Sequence, residues 1–194
     1  MLARGIVWLS QSQFEGALGQ SREQSMPLLL DFHHPTCEGC LRLEMETYSD
    51  PAVVKAIAQN VIPVRIITTE WDRLTTDIIN CYISISTPTI QLVSSDGTVS
   101  HYWHSAPRQT VLSGRQISHS TRRVYIEANG NIPSKLFLSQ LMVGLGKFAL
   151  KLGRFEQAMQ FFKKMRAEYS DVDPAIAEAN YWGAIAAARM LASV

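Results

Sequence analysis

Pro27-Leu28-Leu29-Leu30-Asp31-Phe32 is a short apolar run, and after His33-His34-Pro35-Thr36 comes Cys37-Glu38-Gly39-Cys40. An apolar run of this length, opened by a proline, reads as a buried strand. Pro35 and Thr36 then lead into a segment in which Leu41, Met45 and Tyr48 recur at helical spacing, so a helix begins at about Cys37 with both cysteines in its first turn. There the unpaired backbone N–H groups and the helix dipole stabilise a thiolate at Cys37, while Cys40, one turn on, lies within reach of a disulfide. A single Cys-x-x-Cys also has the spacing of half a zinc site. The strand before, the helix after and the lack of a second pair favour dithiol exchange over metal binding, with a retained but inactive pair as a third reading.

Outward from this centre the pattern alternates helix and strand. Phe14, Ala17 and Leu18 mark a helix over residues 11–20 behind Ser10 as N-cap, and Asp50 and Pro51 cap another that ends near Asn60. Residues 61–67 read as a second strand, followed by a helix carrying Leu74, Ile78, Ile79 and Tyr82. Strands at 89–93 and 98–103 flank Ser94-Ser95-Asp96-Gly97, whose Asp-Gly pair signals a hairpin. An antiparallel pair thus closes a mixed sheet after two βα units. Residues 104–123 are polar, hold Pro107 and Gly114, and read as an exposed loop. From Pro133 the pattern turns wholly helical. Leu138, Leu141, Leu145, Phe148 and Leu152 form one stripe, Gly153 breaks it, Phe155 to Met165 form a second, and a third runs from Pro174 to about Ala192.

The chain has 194 residues, is 46% hydrophobic and carries a formal charge of +1, enough for one domain, or one domain plus an appendage, and incompatible with disorder or a fibre. Eighteen Lys and Arg against seventeen Asp and Glu leave no basic field for a nucleic-acid backbone, so no nucleic-acid partner is expected. Three cysteines argue against a structural disulfide framework. No apolar run approaches the roughly 20 residues of a membrane span. The first ten residues lack the apolar stretch of a secretory signal, so the chain reads as cytoplasmic, or periplasmic if a signal peptide has been removed.

Leu30-Asp31-Phe32, Cys37-x-x-Cys40 on a helix, and Thr87-Pro88-Thr89 opening a strand together resemble the thioredoxin superfamily over about residues 6–141. Within it, the stretch from Cys40 through Leu41-Arg42-Leu43-Glu44 and Ser49-Asp50-Pro51 to Val53 is similar to stand-alone domains related to the C-terminal domain of the thiol:disulfide interchange protein DsbD. The resemblance implies an α/β thioredoxin-like fold with a mixed central sheet over residues 1–141 and a C-terminal α-helical hairpin extension over 142–194. It implies that Cys37 attacks a substrate disulfide, that Cys40 resolves the mixed disulfide, and that Asp31 moves a proton to or from Cys40. It also implies that Pro88 forms a cis peptide facing the cysteines and that the backbone of Thr87 pairs with substrate. No cofactor and no metal are expected, since two sulfurs carry the electrons; the partners are proteins with disulfides or thiols. In the tail, Leu145-Gly146, Ala149, Gly153-Arg154-Phe155, Ala158 and Phe162 resemble one tetratricopeptide repeat. One repeat is too few for a solenoid, so the helices either pack on the core or present a docking surface for a protein partner.

Departures from the family pattern sit close to the dithiol. Thr36 stands where a Trp is common, Glu38-Gly39 replace Gly-Pro, and Met45 replaces a proline. Glu38 is expected to raise the Cys37 pKa, and a protonated His34 to lower it. His33 and His34 read as loop residues rather than zinc ligands. Cys81 reads as a small buried side chain, with a regulatory thiol as the alternative. His101 and His104 are expected to face solvent, and Trp71 and Trp103 to lie in the core or at its rim. Asp31 has the alternative of a strand-end polar residue bonding backbone, and Pro88 that of an ordinary strand-start proline. The leading function is a thiol:disulfide oxidoreductase; the alternative is a binding or chaperone module that holds a client with its helical tail.

Overall fold

The structure is a computed structural model that describes residues 5–70, 72–82, 87–106, 124–127 and 132–192. In chain order the elements are β1 (Leu9–Ser10), α1 (Phe14–Gln24) behind a short 3-10 turn, β2 (Leu28–His33), α2 (Glu38–Arg42), α3 (Pro51–Asn60) and β3 (Ile62–Ile67). Then follow α4 (Arg73–Tyr82), β4 (Thr89–Val93), β5 (Val99–Ala106), β6 (Val124–Glu127), α5 (Ser134–Lys151), α6 (Phe155–Glu168) and α7 (Asp173–Leu191). The strands make one mixed sheet in the order β1-β3-β2-β4-β5-β6, parallel across β1, β3 and β2, antiparallel at β4 and β5, and parallel again between β5 and β6. The thioredoxin-like mixed sheet with a helical C-terminal extension is therefore as expected.

All six residues of β2 are buried, because helices cover both faces of the central strand. The two-residue period of a strand sorts its side chains. Leu28, Leu30 and Phe32 join Val64, Ile66, Phe14 and Ile78 under α1 and α4. Leu29 joins Leu43, Ile57, Ile90, Trp103, Phe137 and Leu141 under α2, α3 and α5. Asp31 and His33 share that second face with Leu29, and so does Arg65, which alternates with Val64 and Ile66 on β3. Three polar or charged side chains of the sheet are thus aimed at the underside of the helix that carries the cysteines, where Glu44, on the turn that follows that helix, meets Arg65.

Capping follows the local chemistry. Ser10 and Gln13 form a capping box ahead of α1, and the Asp50 carboxylate accepts the Ala52 N–H at 2.8 Å with Pro51 opening α3. Gly97 has φ +82° in the β4–β5 turn and Gly153 has φ +71° between α5 and α6, positions where a side chain is disfavoured. β5 runs on through Ala106, three residues into the segment expected to be a loop; residues 107–123, like Trp71, lie outside the described residues.

The tail is built on α5, an unbroken helix across residue 141. Phe137, Leu138, Leu141 and Leu145 pack onto the sheet, while Met142, Val143 and Ala149 join Ala158, Phe162, Met165 and Ala179 of α6 and α7. A Cβ on Gly146 would overlap the Phe162 ring, with Cζ 2.6 Å away, so glycine lets the two helices close. Where α5 crosses β5, His101 is buried, contrary to the expectation of a solvent-facing ring, because Gly144 lets the helix approach. Its Nδ1 accepts from Lys147 Nζ at 3.1 Å and its Nε2 bonds Gln140 Oε1 at 2.9 Å, while Glu178 lies 3.6 Å from Lys147. Burial first, then Lys147, hold this imidazole neutral, with its pKa down to about 3. The side chain of His104 lies outside the described set. Trp103 is fully buried. Among the described residues, no helix is long and apolar enough to cross a membrane.

Candidate active site

Cys37 is the N-cap of α2, with extended backbone angles, and Leu41 N–H bonds its carbonyl at 3.0 Å. Its thiol is half-buried and donates to the Thr87 carbonyl at 3.3 Å. The Thr87–Pro88 peptide bond is cis, as expected, so the turn before β4 lies against the first cysteine. Both cysteines are free thiols, and Cys40 is fully buried one turn into the helix, where its sulfur accepts the His34 N–H at 3.5 Å.

These surroundings pull the two thiols apart. At Cys37, burial raises the pKa but is outweighed by hydrogen bonds from the Thr87 side chain, the Cys40 thiol and the amides of Cys40 and Gly39, so the thiol ionises below its ordinary range. Burial pushes Cys40 up to about 12, reinforced by the neighbouring Cys37 sulfur and Asp31. Glu38, expected to oppose the Cys37 thiolate, instead pairs with Arg42 one turn on at 2.6 Å. Met45, where a proline is common in the family, is 67% exposed.

Behind Cys40 lies a buried charge cluster. Asp31 is fully buried and faces Arg65 across the parallel pair β2–β3, in which the two residues are in register, with Arg65 Nε 3.1 Å from Oδ2. Arg65 also reaches Glu44 at 2.6 Å and stacks over Trp8, its guanidinium 4.4 Å from the ring centroid. Glu44 belongs to a π-helical turn, Leu43–Thr47, that follows directly on α2; such wide turns recur at functional sites. Burial outweighs Arg65 and sets the Asp31 pKa at about 6, so this carboxyl exchanges its proton close to neutrality. An open cavity of about 370 Å³, lined by Trp8, Gln11, Arg65, Glu70 and Asp72 among others, reaches the far side of Arg65.

The structure brings together Cys37, Cys40, Thr87 and Pro88, and sets Asp31 beneath them. Two expectations are corrected nearby. His33 is not a loop residue: it is the last residue of β2, pairs with Ile67 and is buried, because β2 runs one residue further than the apolar run suggested. Cys81 is exposed, since α4 buries Thr75 and Ile78 and turns residue 81 outward. Sequence reasoning missed Arg65 and Glu44. The available signal for Arg65 was a lone charge within the β-branched run Ile62–Ile67, and for Glu44 its place one turn after Cys40.

Residues 7–93 match a family model described as thioredoxin-like. No curated protein matches the chain. Among solved structures, a thioredoxin from Thermus thermophilus is 17% identical, with a TM-score of 0.51 over 76% of this chain and 94% of that one. The oxidised DsbD C-terminal domain of Neisseria meningitidis is 18% identical, with a TM-score of 0.40 over 50% of this chain and 84% of that one. A disulphide isomerase from Xylella fastidiosa Temecula1 is 26% identical, with a TM-score of 0.42 over 47% and 70%. The chain carries a thioredoxin-like domain, with a Cys-x-x-Cys at the start of α2 and a helical extension behind the sheet.

Proposed function

We propose that the protein is a thiol:disulfide oxidoreductase that reduces or exchanges disulfides of protein substrates through Cys37 and Cys40. The observation that carries this reading is the asymmetry of the pair: an accessible thiol that ionises easily beside the cis-proline turn, and a buried thiol that does not. Cys37 thiolate attacks one sulfur of a substrate disulfide; that S–S bond breaks, and the departing sulfur takes a proton from water. Cys40 then attacks Cys37 Sγ, giving up its proton, and the second substrate sulfur leaves. Two protein thiols are oxidised to one disulfide as one substrate disulfide is reduced to two thiols. In this reading Asp31 accepts the Cys40 proton and the Thr87 backbone pairs with an extended substrate segment; the buried carboxyl beside Cys40 and the Thr87 carbonyl against Cys37 support it.

The test is reduction of a protein disulfide with dithiothreitol as electron source. Activity above the dithiothreitol background is expected for the native chain, none for Cys37→Ser, and accumulated mixed disulfides for Cys40→Ser. Full activity in Cys37→Ser refutes the reading.

A second role rests on α7, which leaves Tyr181 and Leu191 exposed. An exposed apolar face at the end of a helical array suits a client protein. Client binding that survives loss of both cysteines supports it, and no binding by the double variant removes it.

A further inference from the structure

Among the described residues, three buried polar atoms behind the dithiol have no hydrogen-bond partner: Oδ1 of Asp31, Nδ1 of His33 and the Tyr48 hydroxyl. Asp31 and His33 alternate along β2 and so face the same side of the sheet, with His33 Nδ1 3.9 Å from Asp31 Oδ2, the oxygen that accepts from Arg65. An unprotonated ring nitrogen and a carboxylate oxygen are both acceptors, so each stays bare when no proton lies between them. A proton on His33 Nδ1 gains the carboxylate as its acceptor once the ring closes the 3.9 Å gap.

The groups around the pair leave few routes for that proton. Arg65 of β3 faces both residues, Glu44 of the π-helical turn and His34 of the following loop face His33, and Cys40 of α2 and Tyr48 face Asp31. Arg65 does not release a proton, and Glu44 is tied to the opposite end of its guanidinium. The Tyr48 hydroxyl is buried and its pKa is pushed well above the ordinary value, first by burial and then by Asp31. His33 differs. Its side chain is 11% exposed although Nδ1 itself is wholly buried, so the ring spans from the carboxylate toward the surface. Burial and Arg65 keep it neutral and able to accept.

We propose that His33 is the relay through which the proton leaving Cys40 passes from Asp31 to solvent, an inference that rests on the dithiol reading above. As Cys40 Sγ bonds to Cys37 Sγ and the bond from Cys37 to substrate breaks, the electron pair departs with the substrate sulfur, which is protonated by water. The Cys40 proton goes to Asp31, Asp31 passes it to His33 Nδ1, and the imidazolium releases a proton from Nε2. His33 then keeps N–H at Nδ1 and donates to the Asp31 carboxylate. Reduction of the protein runs the same path backwards. His33 touches no reacting sulfur; it acts through Asp31.

The test follows reduced protein, in a Cys81→Ser background, mixed with excess 4,4′-dithiodipyridine in a stopped-flow absorbance experiment from pH 5 to pH 8. The first pyridinethione released reports attack by Cys37, and the second reports resolution by Cys40. In the parent the second release is expected to slow as pH falls through about 6, where Asp31 retains its proton. His33→Phe and His33→Gln are expected to leave the first release within about twofold and to slow the second by about tenfold or more. Added imidazole is expected to restore part of that loss. Asp31→Asn slows the second release too, and adding His33→Phe to it slows nothing further. An unchanged second release in both His33 variants overturns the proposal. So does equal slowing of both releases, the mark of a general structural effect, or multiplied effects in the double variant. A parent protein that gives the first release without the second overturns the dithiol reading itself, and the relay with it.

Discussion

Asp31 sets two forces against each other, and replacing it by Asn measures which one wins. Burial raises its carboxyl pKa, Arg65 lowers it by charge and hydrogen bond, and the net result is about 6 against an ordinary 3.8. A carboxyl that ionises less readily in the folded chain than in the unfolded one binds its proton preferentially when folded. Its contribution to stability is then fully present well below pH 3.8 and is lost as pH rises from there through about 6. The gap between 3.8 and about 6 corresponds to about 3 kcal/mol. Asn carries no such dependence. The stability of Asp31→Asn minus that of the parent is therefore expected to rise by about 2 kcal/mol between pH 4 and pH 7, since part of the change has already occurred by pH 4. Weakening of the 3.1 Å bond from Arg65 adds a constant offset and leaves the slope alone. Urea unfolding of both reduced proteins at pH 4, 5, 6 and 7, fitted with a common m-value, gives that difference directly. A difference that is flat, or that falls as pH rises, refutes the reasoning: Arg65 would then outweigh burial, and Asp31 would ionise at or below 3.8.

Two further outcomes follow from the same geometry. In a Cys81→Ser background, iodoacetamide is expected to modify Cys37 first, with a rate that rises with pH and levels off below the ordinary thiol range, while the buried Cys40 labels far more slowly between pH 6 and pH 9; mass spectrometry of peptides reads both, and equal labelling of the two cysteines contradicts the asymmetry. Gly146→Ala places a methyl group against the fully buried Phe162 ring and is expected to cost about 1–3 kcal/mol in urea unfolding; no loss would mean that α5 and α6 separate without penalty.

The dithiol was legible in the sequence because its chemistry is local. A helix start after a buried strand is written in Pro35, Thr36 and the spacing of Leu41 and Met45, and the sulfurs sit one turn apart whatever surrounds them. The Thr87-Pro88 turn was legible only through family resemblance, since nothing local brings residue 87 to residue 37. His33 and His101 were misread for different reasons. β2 continues one residue past the point where its apolar pattern stops, and His33 is buried there; His101 lies inside β5, where Gly144 lets α5 approach and cover it. Cys81 failed in the opposite direction: α4 buries only a narrow stripe, and an apolar-looking cysteine one residue off that stripe faces out.

The sequence by itself determined the alternation of strands and helices and the place of the cysteine pair at a helix start, because periodicity and capping act over a few residues at a time. Only the tertiary structure decided what lies behind the pair. Parallel register sets Arg65 beside Asp31, the π-helical turn brings Glu44 to the same guanidinium, and strand alternation places His33 next to the carboxylate. Whether Asp31 ionises near pH 6 or far below it depends on desolvation against a charge contributed by a residue 34 positions away, a balance that exists only once the sheet has formed and α2 has closed over it.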